Sequence, residues 1–401
     1  MFLIRYQEIG IKGRNRYLFE NKINSNIKKA LYPLGKGKIK ITNMRGRILV
    51  ALGDAEPSKA AEYLSRVFGI ATFSPVIKIV AEEEAIYQSS EAVMRQALER
   101  KGIKLGENDN VLTFRTNVKR ADKTFPIRSM DMAARLGSYL LDNIPGLKVD
   151  LHNPDLSVSV DIRDGNAYVF SEKLPGPGGL PLGTSGKGIL LLSGGIDSPV
   201  AGWMCMKRGV EIEALHFHSF PFTGEKSKEK VKDLCRVLAR HNNRIKLHIA
   251  HFTDIQKSIQ KSSCPEDFRI TVMRRFMFRI AERLAAKNNA LALVTGESVG
   301  QVSSQTLENM TAINEVTKLP VLRPVVAFDK NEIVEMAQKI ETYDISIQPY
   351  EDCCTLFLPK VPITTKPSLD KIHKAEESLD IDEMVNDAME KIETIYITSN
   401  S

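Results

Sequence analysis

Hydrophobic positions in the second half of the chain alternate between the strand period and the helix period. A continuous apolar run at Ile189–Leu192 predicts a short strand buried on both faces, as in a parallel sheet. A glycine-rich turn and a helical pattern come next, and further strand patterns separated by helical ones follow at 211–217, 245–251 and 291–296. This alternation predicts a doubly wound α/β domain with a parallel sheet.

The first half of the chain has a different pattern. Residues 1–50 read as strand, helix, strand and strand, and the helix carries one apolar stripe. The stripe consists of Leu18, Phe19, Ile23, Ile27, Ala30 and Leu31. This order is typical of a βαββ unit, half of a ferredoxin-like fold. Between residues 56 and 166, strands alternate with amphipathic helices, which predicts a second α+β domain.

Glycine and proline are concentrated in residues 171–188, which predicts the clearest linker of the chain. The expected domains are therefore 1–55 (ferredoxin-like), 56–166 (the second α+β domain), 167–188 (a strand and the linker) and 189–401 (the α/β domain). The apolar run Ser74–Ala81 predicts one strand, and the acidic tail after Pro367 predicts helices.

Composition agrees with a multidomain globular protein. A chain of 401 residues is too long for one ordinary core, and 43% hydrophobic with 26% charged residues is typical of soluble proteins. No apolar run approaches the ~18 residues of a membrane span, and charges interrupt the first apolar patch. We therefore expect a cytoplasmic protein without a signal peptide.

Five cysteines, with no C-x-x-C pair, argue against a disulfide framework, a structural zinc site and an iron–sulfur cluster. We expect no metal site made of protein side chains alone.

Charge is distributed unevenly along the chain. Residues 1–50 contain twelve Lys/Arg and two Asp/Glu, a net charge of +10, whereas the remaining residues sum to −3. A basic N-terminal domain indicates a polyanionic partner, with Lys12, Arg14 and Arg16 as candidate contacts. A merely solvated basic face is the alternative.

The glycine-rich turn lies between the buried strand and the next helix, a geometry that directs backbone N–H groups and a helix dipole at an anion. Neither the Walker pattern nor the dinucleotide-binding pattern is present. The segment Ser193-Gly-Gly-Ile-Asp-Ser198 resembles the signature of the PP-loop ATP pyrophosphatases, which split ATP between its α and β phosphates and adenylate a substrate oxygen. An ordinary glycine-rich turn is the alternative.

The basic segment Phe114–Phe125 resembles the THUMP domain, an RNA-binding module of tRNA-modifying enzymes. The resemblance implies phosphate contacts from Arg115, Lys119, Arg120, Lys123 and Arg128. Few aromatic residues are interleaved with these cations, which favours folded RNA over single strands. A basic surface loop is the alternative.

Taken together, the motifs of the whole chain resemble the tRNA 4-thiouridine synthetase family (ThiI), in the form without a C-terminal rhodanese domain. The motifs are Arg5-Tyr-Gln-Glu-Ile9, Lys12-Gly-Arg-Asn-Arg16, the THUMP-like segment, Ser193–Ser198, Gly296–Gln305, Arg323-Pro-Val-Val326 and Tyr350-Glu-Asp-Cys-Cys354. The resemblance implies an enzyme that adenylates uridine 8 of tRNA and transfers persulfide sulfur to give 4-thiouridine. In many bacteria the family also supplies sulfur for the thiazole of thiamine.

The resemblance also implies the site residues. The ATP-binding residues would be Leu191, Leu192, Ser193, Gly194, Gly195, Ser198, His216, Phe217, Arg274, Gly296 and Gln305. Asp197 would orient Mg²⁺ or position ATP, and Lys330 would act in the adenylation step, where a cation stabilises charge at the α-phosphate.

The persulfide would be carried by Cys353 or Cys354, in a loop-like segment. Cys205 and Cys235 lie on apolar helix faces and are expected in the core, whereas the role of Cys264 stays open. Family members that use an iron–sulfur cluster carry a second cysteine where this chain has Asp267. Sulfur is expected to come directly from a cysteine desulfurase. A ThiS-like sulfur carrier, a thiamine role and a homodimer stay open.

Two other functions compete with this interpretation. A PP-loop ligase acting on another substrate would leave the basic N-terminal domain and the cysteine pair without a role. A non-catalytic tRNA-binding protein would not need Asp197 and Lys330.

Overall fold

The computed structural model describes residues 1–35, 38–103, 111–350 and 366–399, with residue 303 described by its backbone alone. These residues form two compact units, 1–178 and 179–401. Within them, no helix is both long and apolar enough to span a membrane.

The first unit contains two five-stranded sheets with four α-helices. Its strands are β1 (Phe2–Arg5), β2 (Lys40–Met44), β3 (Arg47–Ala51), β4 (Thr72–Pro75), β5 (Ile77–Val80), β6 (Leu112–Arg120), β7 (Leu147–Val149), β8 (Leu156–Arg163), β9 (Asn166–Phe170) and β10 (Leu174–Pro175). Its helices are α1 (Arg16–Leu31), α2 (Pro57–Leu64), α3 (Glu83–Arg100) and α4 (Ser129–Asn143). The sheet orders are β10-β4-β1-β3-β2 and β5-β9-β8-β6-β7.

The single strand expected at 74–81 is wrong, because the chain leaves one sheet and enters the other at Val76. β4 pairs antiparallel with β1, and β5 pairs antiparallel with β9. The first sheet therefore includes residues beyond the domain boundary expected at residue 55. β4 is one of its strands, and α2 packs in the same hydrophobic core. Pro75 has no N–H to donate to a ladder, which suits the point where pairing switches.

The apolar stripe of α1 faces the first sheet in part. Ile23, Ile27 and Leu31 are fully buried in the core that β1 and β3 also line. Leu18, in contrast, is 51% exposed, so it lies off the buried stripe. The second sheet has its own core, built from α3, α4 and the inward residues of β6 and β8.

The second unit is a six-stranded sheet covered by helices. Its strands are β11 (Lys187–Leu191), β12 (Glu211–His218), β13 (Arg244–His251), β14 (Ala292–Val294), β15 (Val321–Leu322) and β16 (Glu393–Thr398). Its helices are α5 (Asp197–Lys207), α6 (Glu225–Ala239), α7 (Thr253–Lys261), α8 (Arg269–Lys287), α9 (Leu307–Asn314), α10 (Lys330–Lys339), α11 (Tyr343–Ser346), α12 (Leu369–Glu376) and α13 (Ile381–Glu390).

The sheet order of the second unit is β15-β14-β11-β12-β13-β16, and β11 to β15 are all parallel. The predicted doubly wound arrangement is confirmed. Because the strands are parallel, the turn after β11 and the segment after β14 emerge at the same edge of the sheet, where such folds bind ligands.

The tail is not purely helical, contrary to the expectation. α12 and α13 are helices, but β16 adds to the sheet antiparallel to β13. The segment Glu393–Thr398 alternates polar residues with Ile395 and Ile397, and Ile397 is buried. A hydrogen bond of 2.9 Å between Thr394 Oγ1 and His248 Nδ1 joins the two strands.

Buried charges attach the tail to the domain. Arg275, on α8, is 2% exposed, and both its Nε and Nη2 donate to the carboxylate of Glu376 at 3.0 Å. Arg279 donates to the same carboxylate. Burial alone would raise the pKa of Glu376, but the two guanidinium groups hold it below its ordinary value. The ion pairs of Glu376 with Arg275 and Arg279 therefore fix α12 against α8.

Substitution R275M should lower the free energy of unfolding of the second unit by about 3–5 kcal/mol, because it leaves a buried carboxylate without one of its cations. The single tryptophan, Trp203, lies on α5, so its fluorescence during chemical denaturation reports on this unit. The matched control is R283Q on the same helix, whose partner Asp382 is exposed. R283Q should change stability by less than about 0.5 kcal/mol. Equal effects of the two variants would contradict this role of Arg275.

Candidate functional site

The turn between β11 and α5 is held in shape by its own serines. Ser198 Oγ accepts the backbone N–H of Ser193 at 3.0 Å and donates to the carbonyl of Ser193 at 3.3 Å. The N–H of Gly195 donates to Ser193 Oγ at 3.2 Å. Ser198 is buried, whereas Gly195 is exposed. The turn is thus shaped before any ligand binds, which lowers the entropic cost of binding an anion.

Gly296 brings the end of β14 against the start of α5. A Cβ at this position would lie 2.6 Å from the backbone carbon of Asp197 and from the nitrogen of Ser198. No side chain fits within that distance, so only glycine allows the approach. The predicted site residues Gly296, Asp197 and Ser198 are therefore brought together by backbone contact.

Asp197 is the first residue of α5 and lies at the centre of the charged group. Its Oδ1 accepts from Lys330 Nζ at 2.7 Å, and its Oδ2 accepts from Gln301 Nε2 at 2.9 Å. A capping box between Asp329 and Glu332 starts α10, and this places Lys330 at the first position of that helix. The Lys330 side chain is 47% exposed, so its ammonium remains accessible to a ligand.

Arg274 and Arg323 flank a buried carboxylate. Glu297 is 2% exposed; Arg274 Nη2 donates to it at 2.5 Å and Arg323 Nε at 2.7 Å. Burial alone would raise the pKa of Glu297, but the two guanidinium groups keep it below its ordinary value. The carboxylate thus orients both cations beside Gly296. Sequence reasoning had not singled out Glu297 or Arg323 as site residues.

The two predicted site residues on β12, His216 and Phe217, have different surroundings. His216 Nδ1 is 3.0 Å from the carbonyl oxygen of Leu192, so its ring contacts the strand end that leads into the turn. Phe217 points to the opposite face, where its ring packs edge-to-face on Phe252 in the core. The Phe217 side chain therefore contributes to packing, and a nucleotide contact is left to its backbone. Leu192 is buried and Leu191 is half-buried.

Gln305 and Gln301 lie in the segment that follows Gly296. Gln305 ends a short 3₁₀ turn, and its carbonyl accepts the N–H of Gly300 at 3.0 Å. Among the described residues, nothing donates a hydrogen bond to the buried Oε1 of Gln305. Gln301, which contacts Asp197, lies in the Gly296–Gln305 motif but was not assigned to the site, because the motif does not show which of its polar side chains reaches Asp197.

Three cysteines are poor nucleophiles. Cys205, Cys235 and Cys264 are all buried. Burial raises the pKa of the Cys205 and Cys235 thiols to about 12 and that of Cys264 to about 11. Burial therefore disfavours the reactive thiolate form of all three cysteines. The predicted sulfur carriers, Cys353 and Cys354, lie outside the described residues.

Mg²⁺ would fit the site as a phosphate-bound ion. Within the described part of the chain, no group of three His, Cys, Asp or Glu side chains could hold a metal. Asp197 offers one partly exposed carboxylate beside the turn. Mg²⁺ is commonly bound by one or two carboxylates together with substrate phosphates and water, and Asp197 is suited to that arrangement.

In the first unit, two of the predicted RNA contacts are engaged within the fold. Arg16 donates to Glu20 at 2.7 Å and to the hydroxyl of Tyr6 at 2.7 Å. Arg120 Nη1 donates to the carbonyl of Phe125 at 2.8 Å and thereby holds the following loop. Both guanidinium groups have structural partners, so their availability to RNA is reduced.

The other predicted cations are more accessible. Arg14, Lys119, Lys123 and Arg128 are exposed, and Lys12 is half-buried with its ammonium 5.2 Å from the ring centroid of Phe19.

A cleft of about 360 Å³ in the first unit is bordered by Arg115 and Lys173, with the hydroxyls of Ser157 and Ser159. The Arg115 Nε is buried and, among the described residues, has no hydrogen-bond partner. Partial burial is the largest cause that lowers the pKa of Lys173. The neighbouring positive charges lower it further; they belong to Arg5, Lys119, Arg115 and Arg47. Mutual repulsion between cations is relieved by an anion, so the cleft is suited to phosphate. Lys173 was missed because it lies in the segment interpreted as a linker.

Comparison with known proteins shows the family to which the chain belongs. Three family models match in succession: the ThiI ferredoxin-like domain at residues 1–74, the THUMP domain at 80–172 and the thiamine biosynthesis protein (ThiI) at 183–381. A probable tRNA sulfurtransferase of Moorella thermoacetica is 50% identical over 98% of this chain and 97% of its own length. The corresponding protein of Halothermothrix orenii is 49% identical over 99% and 98%.

A solved structure of a 4-thiouridine synthetase–RNA complex with bound ATP is also similar, with a TM-score of 0.88, 38% identity and 99% coverage of both chains. The family resemblance and the fold class predicted from the sequence are confirmed.

The contact at Gly296 predicts a site-specific effect of an added methyl group. G296A should push α5 away from β14 and weaken ATP binding by at least about tenfold, because the clash is with backbone rather than a flexible side chain. Isothermal titration with ATP measures the effect. G10A is the control, since a Cβ there meets nothing within 4 Å. Unchanged ATP affinity in G296A would show that the approach of the two segments is not required.

Proposed function

Because the chain belongs to the ThiI family, we propose that it is an ATP-dependent tRNA sulfurtransferase that converts uridine 8 of tRNA to 4-thiouridine. The observation that carries the proposal is the convergence of the glycine-rich turn, Asp197 and Lys330 at the carboxyl edge of a parallel sheet. This arrangement offers backbone donors for the pyrophosphate end of ATP and a cation for the α-phosphate.

Adenylation is the proposed first step. The O4 oxygen of the uracil attacks the α-phosphorus of ATP, the bond to the β-phosphate breaks, and pyrophosphate leaves. Lys330 would stabilise the charge that develops on the α-phosphate, and Asp197 holds that ammonium until ATP is bound. When bound, Mg²⁺ would neutralise phosphate charge beside Asp197. Arg274 and Arg323, oriented by Glu297, add positive charge at the same edge.

Sulfur transfer is the proposed second step. The terminal sulfur of a cysteine persulfide attacks C4 of the adenylated base, and AMP leaves with the former O4 oxygen. The second thiol then attacks the cysteine sulfur, which releases 4-thiouridine and forms a disulfide that a cellular dithiol must reduce. Since the three described cysteines are buried, which disfavours their thiolate form, Cys353 and Cys354 are the better candidates for carrier and resolving thiol.

The first unit is proposed to bind the tRNA by its backbone. Its exposed cations and the cleft at Arg115 and Lys173 favour phosphate contacts, and few aromatic residues are interleaved with the cations of the basic segment Phe114–Phe125. Chemistry on a base requires that the base leave the stack, so the bound RNA must present uridine 8 unstacked. We propose a cysteine desulfurase as the sulfur donor. A cytoplasmic location, a ThiS-like carrier and a homodimer remain predictions.

Purified protein, ATP, unmodified tRNA and a persulfide donor test the proposal. We expect AMP, pyrophosphate and 4-thiouridine, the last identified by mass spectrometry of tRNA nucleosides. C353S and C354S should each keep tRNA-dependent pyrophosphate release in a single turnover but lose repeated 4-thiouridine formation. C264S is the control and should retain both, because its thiol is buried.

Two results would contradict the proposal in different ways. Pyrophosphate release driven equally well by small carboxylic acids without tRNA would favour a ligase with another substrate. Binding of tRNA with no AMP formed under any condition would favour a non-catalytic RNA-binding protein.

The RNA surface makes a separate prediction. K173Q and R115Q should each weaken tRNA binding and reduce the slope of log K against log salt by about 0.9, the effect of one lost phosphate contact. K59Q is the matched control, since Lys59 is exposed on α2 and pairs only locally with Glu56 among the described residues. Fluorescence anisotropy with labelled tRNA at several salt concentrations measures the slope. A slope unchanged in K173Q and R115Q would remove the cleft from the RNA surface.

A further inference from the structure

Lys230 is a buried lysine next to the glycine-rich turn. It lies on α6 and is 5% exposed, although its sequence neighbours form a charged helical run. A Cβ built on Gly194 would lie 3.4 Å from Lys230 Cδ and Cε and 3.5 Å from its Nζ. The ammonium therefore lies against Gly194 of the turn, within the second unit.

The same lysine also connects the turn to the segment after α11. Lys230 Nζ donates to the carbonyl oxygen of Gln348 at 2.9 Å. Ser346 Oγ donates to the carbonyl of Gly195 at 3.3 Å. Two adjacent glycines of the turn are thus linked to residues 346–348, one directly and one through Lys230.

Burial makes the charge of Lys230 effective at a distance. Taking an ammonium out of water costs several kcal/mol, whereas its attraction to a nearby anion increases as the local dielectric constant falls. The backbone of the turn carries no net charge of its own. A cation against it adds a full positive charge to the dipoles of its N–H groups.

We propose that Lys230 is a positioning residue for adenylation that stabilises the pyrophosphate end of ATP and holds the turn against residues 346–348. The inference rests on the proposed function, since it takes the turn to be the pyrophosphate site. Lys330 and Lys230 then have different tasks. Lys330 acts from the open side on the α-phosphate, and Lys230 acts through the turn on the β- and γ-phosphates.

This division predicts an effect that depends on ligand charge. Removing the Lys230 charge should weaken binding of ATP and of inorganic pyrophosphate at least about tenfold and leave AMP affinity within about twofold. A merely structural lysine would affect all three ligands alike, or none. K230Q is the main variant, because its amide keeps a hydrogen-bond donor at this position while the charge is lost. K230R, which keeps the charge, should recover most of the ATP affinity.

Isothermal titration of the full-length variants with ATP, pyrophosphate and AMP makes the test, together with kcat and KM for tRNA-dependent pyrophosphate release. K232M is the matched control, since Lys232 lies on the same helix and pairs with Glu229. We expect a raised KM for ATP in K230Q and wild-type values in K232M. Equal losses for ATP and AMP in K230Q, no loss in K230Q, or no recovery in K230R would each overturn the inference.

The test separates this inference from the proposed function. If the wild-type protein binds ATP and forms AMP but K230Q matches it, only the role of Lys230 fails. If the wild-type protein forms no AMP, the proposed function itself fails. Should K230Q not fold, K230M, which fills the position without a charge, takes its place in the comparison of ATP with AMP.

Discussion

The close approach of Gly296 to the first residues of α5 determines where the charged side chains of the second unit lie. Because no Cβ fits between Gly296 and the backbone of Asp197 and Ser198, the segment after β14 lies at backbone distance from the first residues of α5. The segment after Gly296 then brings in Gln301 and Glu297, and α10 adds Lys330. A single steric constraint thus assembles residues that are more than a hundred positions apart in the chain.

Around this contact the protein uses buried carboxylates to fix cations. Glu297 holds Arg274 and Arg323, and Glu376 holds Arg275 and Arg279. Both carboxylates bind two guanidinium groups, but they have different effects on the structure. The first carboxylate orients two guanidinium groups toward the edge where ligands bind, whereas the second fixes the tail against α8. Buried pairs of this kind contribute little net stability and much definition of geometry.

Local features of the site could be predicted from the sequence. The strand, glycine-rich turn and helix around Ser193–Ser198 are set by neighbouring residues, so pattern and motif located them within a residue or two. β16 was missed because its partner β13 lies about 150 positions away, and a short alternating segment gives no sign of which sheet it joins. The switch at Val76 was missed because an apolar strand pattern does not show that its two ends pair with different strands.

Charged residues were the hardest to interpret. Arg16 and Arg120 look like RNA contacts in a basic sequence, yet their guanidinium groups bind the Glu20 carboxylate and the Phe125 carbonyl, four and five residues further along the chain. Lys230 looks like a solvated helix residue, yet it is buried against the turn. The cations can be counted in the sequence, but which of them face water depends on how the chain folds and packs.

We propose that the site activates the uracil carbonyl by joining its oxygen to the α-phosphate of ATP. Transfer of an oxygen label measures this directly: tRNA carrying ¹⁸O at O4 of uridine 8 is turned over once with ATP and a persulfide donor, and the AMP is analysed by mass spectrometry. If adenylation occurs at O4, AMP should carry the label in proportion to the 4-thiouridine formed. Unlabelled AMP accompanying full thiolation would contradict it.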